Sequence, residues 1–178
     1  MSEIQVNTIN EYTGANGVTI DGVLIKDSKL ASGTGNVLQV VTAETTTATA
    51  VSGSTYTDTT LTASITPSAT SSKILVLIAQ EYNFVASVTT FIKAGIKVVR
   101  TIGGTATDIK ETSGLTLNSG SGSAAQFGGI LPITILDSPS TTSSVTYKTQ
   151  QHQEQSDTSI TTQSASEKST ITLIEIGG

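Results

Sequence analysis

The 178-residue chain has no cysteine and no tryptophan, one methionine, one histidine and three prolines. The missing cysteines exclude a disulfide framework, a thiolate metal site and a cysteine nucleophile. Aromatic residues make up only 4% of the chain and charged residues 13%, against roughly 25% charged in an average soluble domain. Nine basic residues, scattered from Lys26 to Lys168, face 14 acidic ones for a net charge of −5. No basic stripe is left to neutralise phosphates, so a nucleic-acid partner is not expected. No window approaches the roughly 18 consecutive apolar residues of a membrane-spanning helix, and membrane insertion is not expected either. Met1-Ser2-Glu3-Ile4-Gln5 shows no basic segment followed by an apolar one, so the expectation is synthesis without a signal peptide.

What replaces charge is hydroxyl: 33 threonines and 23 serines, about a third of the chain. With 36% hydrophobic residues the chain can still bury a core and is not of the disordered type. The length admits one domain with a short appendage. Apolar residues almost nowhere recur at helical spacing, whereas β-branched runs bounded by Gly, Ser, Asn and Pro are frequent, which predicts an all-β protein. Even the best helix candidate, Phe91–Arg100, carries Gly95 at its centre and many β-branched residues, and is assigned to a strand.

Residues 1–35 read as a unit of their own, a stem ending in the linker Ala31-Ser32-Gly33-Thr34-Gly35. Its apolar positions are Ile4, Val6, Ile9, Val18, Ile20, Val23 and Ile25, with Asp21-Gly22 as a hairpin signal between the last two pairs. Strands this short do not hold themselves together in water. These positions therefore require cover, either from the rest of the chain or from the same segment of other copies.

Residues 36–178 read as an antiparallel β-sandwich or jelly roll. Strands are expected near residues 37–42, 55–66, 73–80, 89–100, 125–136, 144–151 and 170–176, with 101–113 and 117–122 as polar loops. In Ile74-Leu75-Val76-Leu77-Ile78 and Thr172-Leu173-Ile174-Glu175-Ile176 the apolar residues are not confined to alternate positions. An antiparallel sheet normally buries one face and wets the other, so Ile74, Val76, Ile78, Leu173, Ile174 and Ile176 are expected to divide between a core and a subunit interface.

Catalytic signatures are sparse. There is no phosphate-binding loop, dinucleotide fingerprint, zinc-protease helix or serine elbow, and Gly120-Ser121-Gly122-Ser123 is the composition of a flexible connection. His152 is the lone imidazole; its ordinary reading is a solvated strand-end residue. Only in a trimer would three copies make a metal site on the axis, and no cofactor is expected. The acidic residues show no close pair of the kind that cleaves glycosides. The expected recognition elements are the polar loops, with Asp108, Glu111, Asn118 and Ser121 as candidate contacts.

Several segments together resemble the C-terminal heads of bacteriophage tail-fibre and related virion surface proteins. They are Thr55–Pro67 followed by Ser71–Leu77, then Leu136–Lys148, and the ending Ser169–Ile176. The opening Ile4–Ile9 with Gly17–Val23 is similar to the short stem that precedes such heads. The resemblance implies a homotrimeric, non-enzymatic structural protein on the virion surface. Its stem would attach to another virion protein, a tail adaptor or the capsid, and its head would bind a host surface glycan. A stem of about 35 residues is short for a tail fibre, and suits either a compact tailspike or a capsid decoration protein. A polysaccharide depolymerase and a cytokine-like trimer are the remaining alternatives.

Overall fold

A computed structural model describes residues 18–20, 23–26, 29–30, 35–86, 91–118, 125–154 and 158–178. Three short strands come first: β1 (Val18–Ile20), β2 (Val23–Lys26) and β3 (Lys29–Leu30). They form a three-stranded antiparallel sheet of their own in which Ile20 lies opposite Val23 and Lys26 opposite Lys29. Ile4, Val6 and Ile9 lie outside the described residues, as do the side chains of Val18, Ile20, Val23 and Ile25.

From Val37 onward ten strands follow: β4 (Val37–Thr45), β5 (Thr49–Val51), β6 (Thr57–Ile65), β7 (Lys73–Ala86), β8 (Phe91–Ile102), β9 (Thr105–Asn118), β10 (Ala125–Asp137), β11 (Val145–Gln153), β12 (Thr158–Thr162) and β13 (Ser169–Ile176). One sheet runs β4-β13-β7, with β10 on the far side of β7, while β12 and β5 continue it beside the distal half of β7. The other runs β6-β11-β8-β9. Setting aside the short β5 and β12, eight long strands in these two orders make an antiparallel jelly roll.

Alternation decides which residues fill the space between the sheets. In β6 every second residue is buried, Leu61, Ala63 and Ile65 among them, and the intervening Thr60, Thr62 and Ser64 are exposed. Ile74, Val76 and Ile78 of β7 meet Ile171 and Leu173 of β13 on the inner face, where they pack with Ile96, Val98, Val145 and Tyr147 of the opposing sheet. Each fully buried aliphatic side chain contributes roughly 1.5–3 kcal/mol of transfer free energy. Ile174 and Ile176 have the opposite parity and are half-buried on the outer face, opposite Leu75 and Lys73. The six positions expected to share burial thus separate, four into the core and two onto the outside.

A polar clasp ties the sheets at one end. Asp137, at the end of β10, accepts hydrogen bonds from Arg100 Nη1 of β8 at 2.8 and 3.1 Å and from the Tyr147 hydroxyl of β11 at 2.7 Å. Burial first, and then the neighbouring carboxylate, push the Tyr147 phenol well above its ordinary range.

The expected loop over 101–113 is instead a hairpin. Gly103 and Gly104 have φ of 55° and 83°, the positive pair that a two-residue turn matched to strand twist demands. β8 and β9 pair from Ile102↔Thr105 to Phe91↔Asn118. β9 escapes sequence reading because it is an edge strand: only its inner side is apolar, through half-buried residues such as Ile109 and Leu115, while Asp108, Lys110 and Glu111 are exposed.

Candidate functional site

Strand registers give the head two unlike ends. Gly35 N–H donates to Gly177 O at 2.6 Å and Gly177 N–H to Asn36 O at 2.8 Å, so the chain enters and leaves at the same end. The connections there are short: residues 66–72, the Gly103-Gly104 turn, and 138–144. β4, β7, β9 and β11 end, and β6, β8, β10 and β13 begin, at the opposite, distal end, where the two longest connections, residues 46–56 and 154–168, carry the extra strands β5 and β12. Long connections set away from the point of chain entry are the segments in which a rigid scaffold most often carries recognition.

The distal end is built on buried polar side chains. Gln80 lies inward on β7; its Oε1 accepts from Thr149 Oγ1 at 2.7 Å and its Nε2 donates to Ser169 Oγ at 3.0 Å. Ser169 Oγ also accepts from Glu81 N–H at 2.9 Å and Gln163 Nε2 at 2.6 Å. Thr149 and Thr59 join their hydroxyls at 2.6 Å, and Gln151 Nε2 donates to Thr49 O at 2.7 Å. Such a network costs less than an apolar core gains only if it is well satisfied, and in return it specifies one arrangement.

On this base sits a strained turn. Gln163, Ala165 and Ser166 all have φ between 52° and 64°, a left-handed conformation that costs a non-glycine residue of order 1 kcal/mol. The buried Glu81 carboxylate holds it, accepting from Ser164 N–H at 2.8 Å and from Ser164 Oγ at 2.9 Å. Strain kept by a dedicated anchor marks a segment whose shape matters.

A second cluster lies on the outer side of β8 and β11. His152 is opposite Gly95 and only 8% exposed, and its ring stacks on Tyr56 with centroids 4.1 Å apart. A Cβ on residue 95 would lie 2.5 Å from His152 Nε2 and 2.7 Å from the Tyr56 hydroxyl, so the glycine gives these two rings their room. Tyr56 donates to Glu111 Oε1 at 2.8 Å, and Lys97 Nζ stands 4.3 Å from the Tyr56 ring centre while pairing with Asp108 at 2.8 Å. Burial, then the Glu111 contact, hold the Tyr56 phenol above its ordinary range. The cluster fastens the end of the 46–56 connection to β9.

The sequence candidates are placed as follows. Asp108 and Glu111 sit on strand β9, where they hold Lys97 and Tyr56, and do not belong to a loop. Asn118 ends β9 at the distal end; Ser121 lies outside the described residues. His152 is enclosed by its own chain at a buried position, in place of the solvated strand end expected of it. Among the described residues no group of three His, Cys, Asp or Glu side chains is placed to hold a metal. Gln80, Glu81, Gln163 and Ser169 went unrecognised, although Gln151 at an inward position of the run Gln150–Gln153 was a legible sign of a polar interior.

No protein-family model matches the chain, and no curated protein matches it. Among solved structures, one of infectious bursal disease virus, Gx strain, overlaps 80% of this chain and 33% of its own at 17% identity and a TM-score of 0.39. Another, of the Gt strain, overlaps 90% and 42% at 13% identity and a TM-score of 0.34. The chain thus spans between a third and two-fifths of the length of those chains, and superpositions this loose add nothing to the fold that strand order establishes.

Proposed function

We propose that this chain is a non-enzymatic virion surface protein, a homotrimeric phage tail fibre or short tailspike. Its stem attaches to another virion protein and its jelly-roll head binds a glycan on the host cell. The observation that carries this reading is the polarity of the head. The stem joins at Gly35, beside the penultimate Gly177, and the two longest connections, 46–56 and 154–168, are at the far end. A protein anchored at one end and recognising at the other needs this arrangement. The segments that resemble phage fibre heads fall on the framework, β6, β7, β10, β11 and β13, which leaves the distal connections free to set specificity. Three heads per spike and several spikes per particle convert weak single-site binding into avidity.

Capsid decoration is the second reading, favoured by the exposed aliphatic residues Val37 and Val40 beside the point of chain entry, which suit a protein pressed against a shell. Immunogold labelling of particles separates the two by placing the protein on the tail or on the head. Receptor binding is tested by adding purified protein to host cells before infection. Adsorption should fall, and mild periodate oxidation of the cells should abolish binding of the labelled protein; undiminished adsorption would sink the receptor assignment.

A further inference from the structure

At the distal end a row of side chains runs out of the core to an open edge. Ile160 of β12, Phe84 of β7 and Phe127 of β10 lie side by side on adjacent strands, with exposures of 0%, 2% and 49%. Phe127 is the only aromatic side chain left exposed among the described residues. Its ring centre lies 6.3 Å from that of Tyr82, which in turn packs on Phe84 at 5.1 Å. The two residues that follow Phe127 are glycines. Gly129 stands opposite Tyr82, and a Cβ there would touch the Tyr82 hydroxyl at 3.5 Å, so the missing side chain leaves that hydroxyl clear on the β10 side. On the other side of the same two strands Gln126 Nε2 donates to Asn83 Oδ1 at 3.2 Å. β10 pairs with β7 alone among the described residues, and its other edge offers backbone N–H and C=O groups that no described strand takes up. Such edges are normally defended by charge, yet neither β10 before Asp137 nor β7 after the buried Glu81 carries a charged residue.

We propose that Phe127 and the open edge beside it form a subsite for an uncharged sugar residue of the host glycan, an inference that rests on the receptor reading above and names its place and ligand class. A pyranose has an apolar C–H face and a rim of hydroxyls. The Phe127 ring takes the C–H face, because an aromatic side chain combines a large apolar area with a negatively polarised face. The β10 edge, the Tyr82 hydroxyl and the Gln126–Asn83 amides supply donors and acceptors for the hydroxyls. An apolar floor with a few polar groups is the composition of small-ligand sites. A sialic acid or uronate would lose hydration here with no lysine or arginine on these strand ends to pair its carboxylate, which selects a neutral sugar. Size points the same way. A protein partner needs roughly 800 Å² from each side, whereas one exposed ring and its edge match a single sugar, and the repeated heads of a spike multiply so small a contact.

The test is binding of the fluorescently labelled full chain to intact host cells, read as the concentration that gives half-saturation. The wild type should bind, should lose binding after mild periodate oxidation of the cells, and should keep its half-saturation within about threefold between about 50 and 500 mM salt, since no charge is paired. Phe127→Leu retains an apolar side chain without a ring. It should bind roughly tenfold more weakly with an unchanged unfolding midpoint, and Phe127→Tyr should bind like the wild type. Equal binding by Phe127→Leu, with periodate sensitivity intact, would overturn this subsite and leave glycan recognition to other distal residues. A half-saturation that rises tenfold or more with salt would overturn the uncharged class. Wild-type binding that survives periodate, or no wild-type binding at all, would remove the receptor reading and the subsite together.

Discussion

Glu175 shows how one residue can look out of place in sequence and be required in structure. It interrupts the apolar run of β13 and points inward with no exposed surface. Its carboxylate accepts from Ser68 N–H at 2.7 Å, Ser68 Oγ at 2.6 Å and Gln39 Nε2 at 2.5 Å, tying the 66–72 connection and β4 to the C-terminal strand. Burial alone would raise its pKa, but the hydrogen bonds from Ser68 and Gln39 outweigh it and bring the group from its ordinary 4.5 down to about 2. A carboxyl with a depressed folded-state pKa stabilises fully above its unfolded value, and that contribution fades as pH falls through the folded one. The stability of the wild type should therefore drop between about pH 4.5 and 2. Glu175→Gln should be less stable at pH 7 and lose less over that window, as read from urea midpoints across the range. Parallel pH profiles for the two proteins would show that the carboxylate does not carry the effect.

At the scale of elements, the framework strands were legible because each carries its own signal. β6 alternates cleanly, and Pro67 stops it because proline cannot donate to a ladder; Asp137-Ser138-Pro139 closes β10 in the same way. The elements that stayed hidden, β9, β5 and β12, lean on others for burial and therefore lack a strong pattern. The turn at 163–166 belongs with them. Its left-handed residues are an alanine, a serine and a glutamine, none of which announces that backbone conformation. The cause lies 83 residues away in Glu81. Glu81→Ala should cost about 2 kcal/mol, the worth of hydrogen bonds to a buried charged group. Amide exchange at Ser164 should accelerate while Leu61 keeps its protection; an unchanged Ser164 amide would show that the turn holds itself.

For the whole molecule, the proposed function puts attachment at the end where the chain enters and recognition at the far end. Replacing Asn118 and Ser121 together with alanine should leave the unfolding midpoint within experimental error and reduce competition for host adsorption several-fold. Full competition by that variant would move the contact to the 46–56 or 154–168 connection. Composition and alternation by themselves determined the all-β class, the framework strands and a second apolar surface on β7 and β13, because each follows from local periodicity and needs no knowledge of partners. Tertiary structure alone decided which aliphatic residues fill the core, that Asp108 and Glu111 stand on a strand, that His152 is buried under Tyr56, and that the two longest connections share one end. Those facts depend on strand order and register, which join residues far apart in the chain, and a run of residues contains no local record of the partner that will lie beside it.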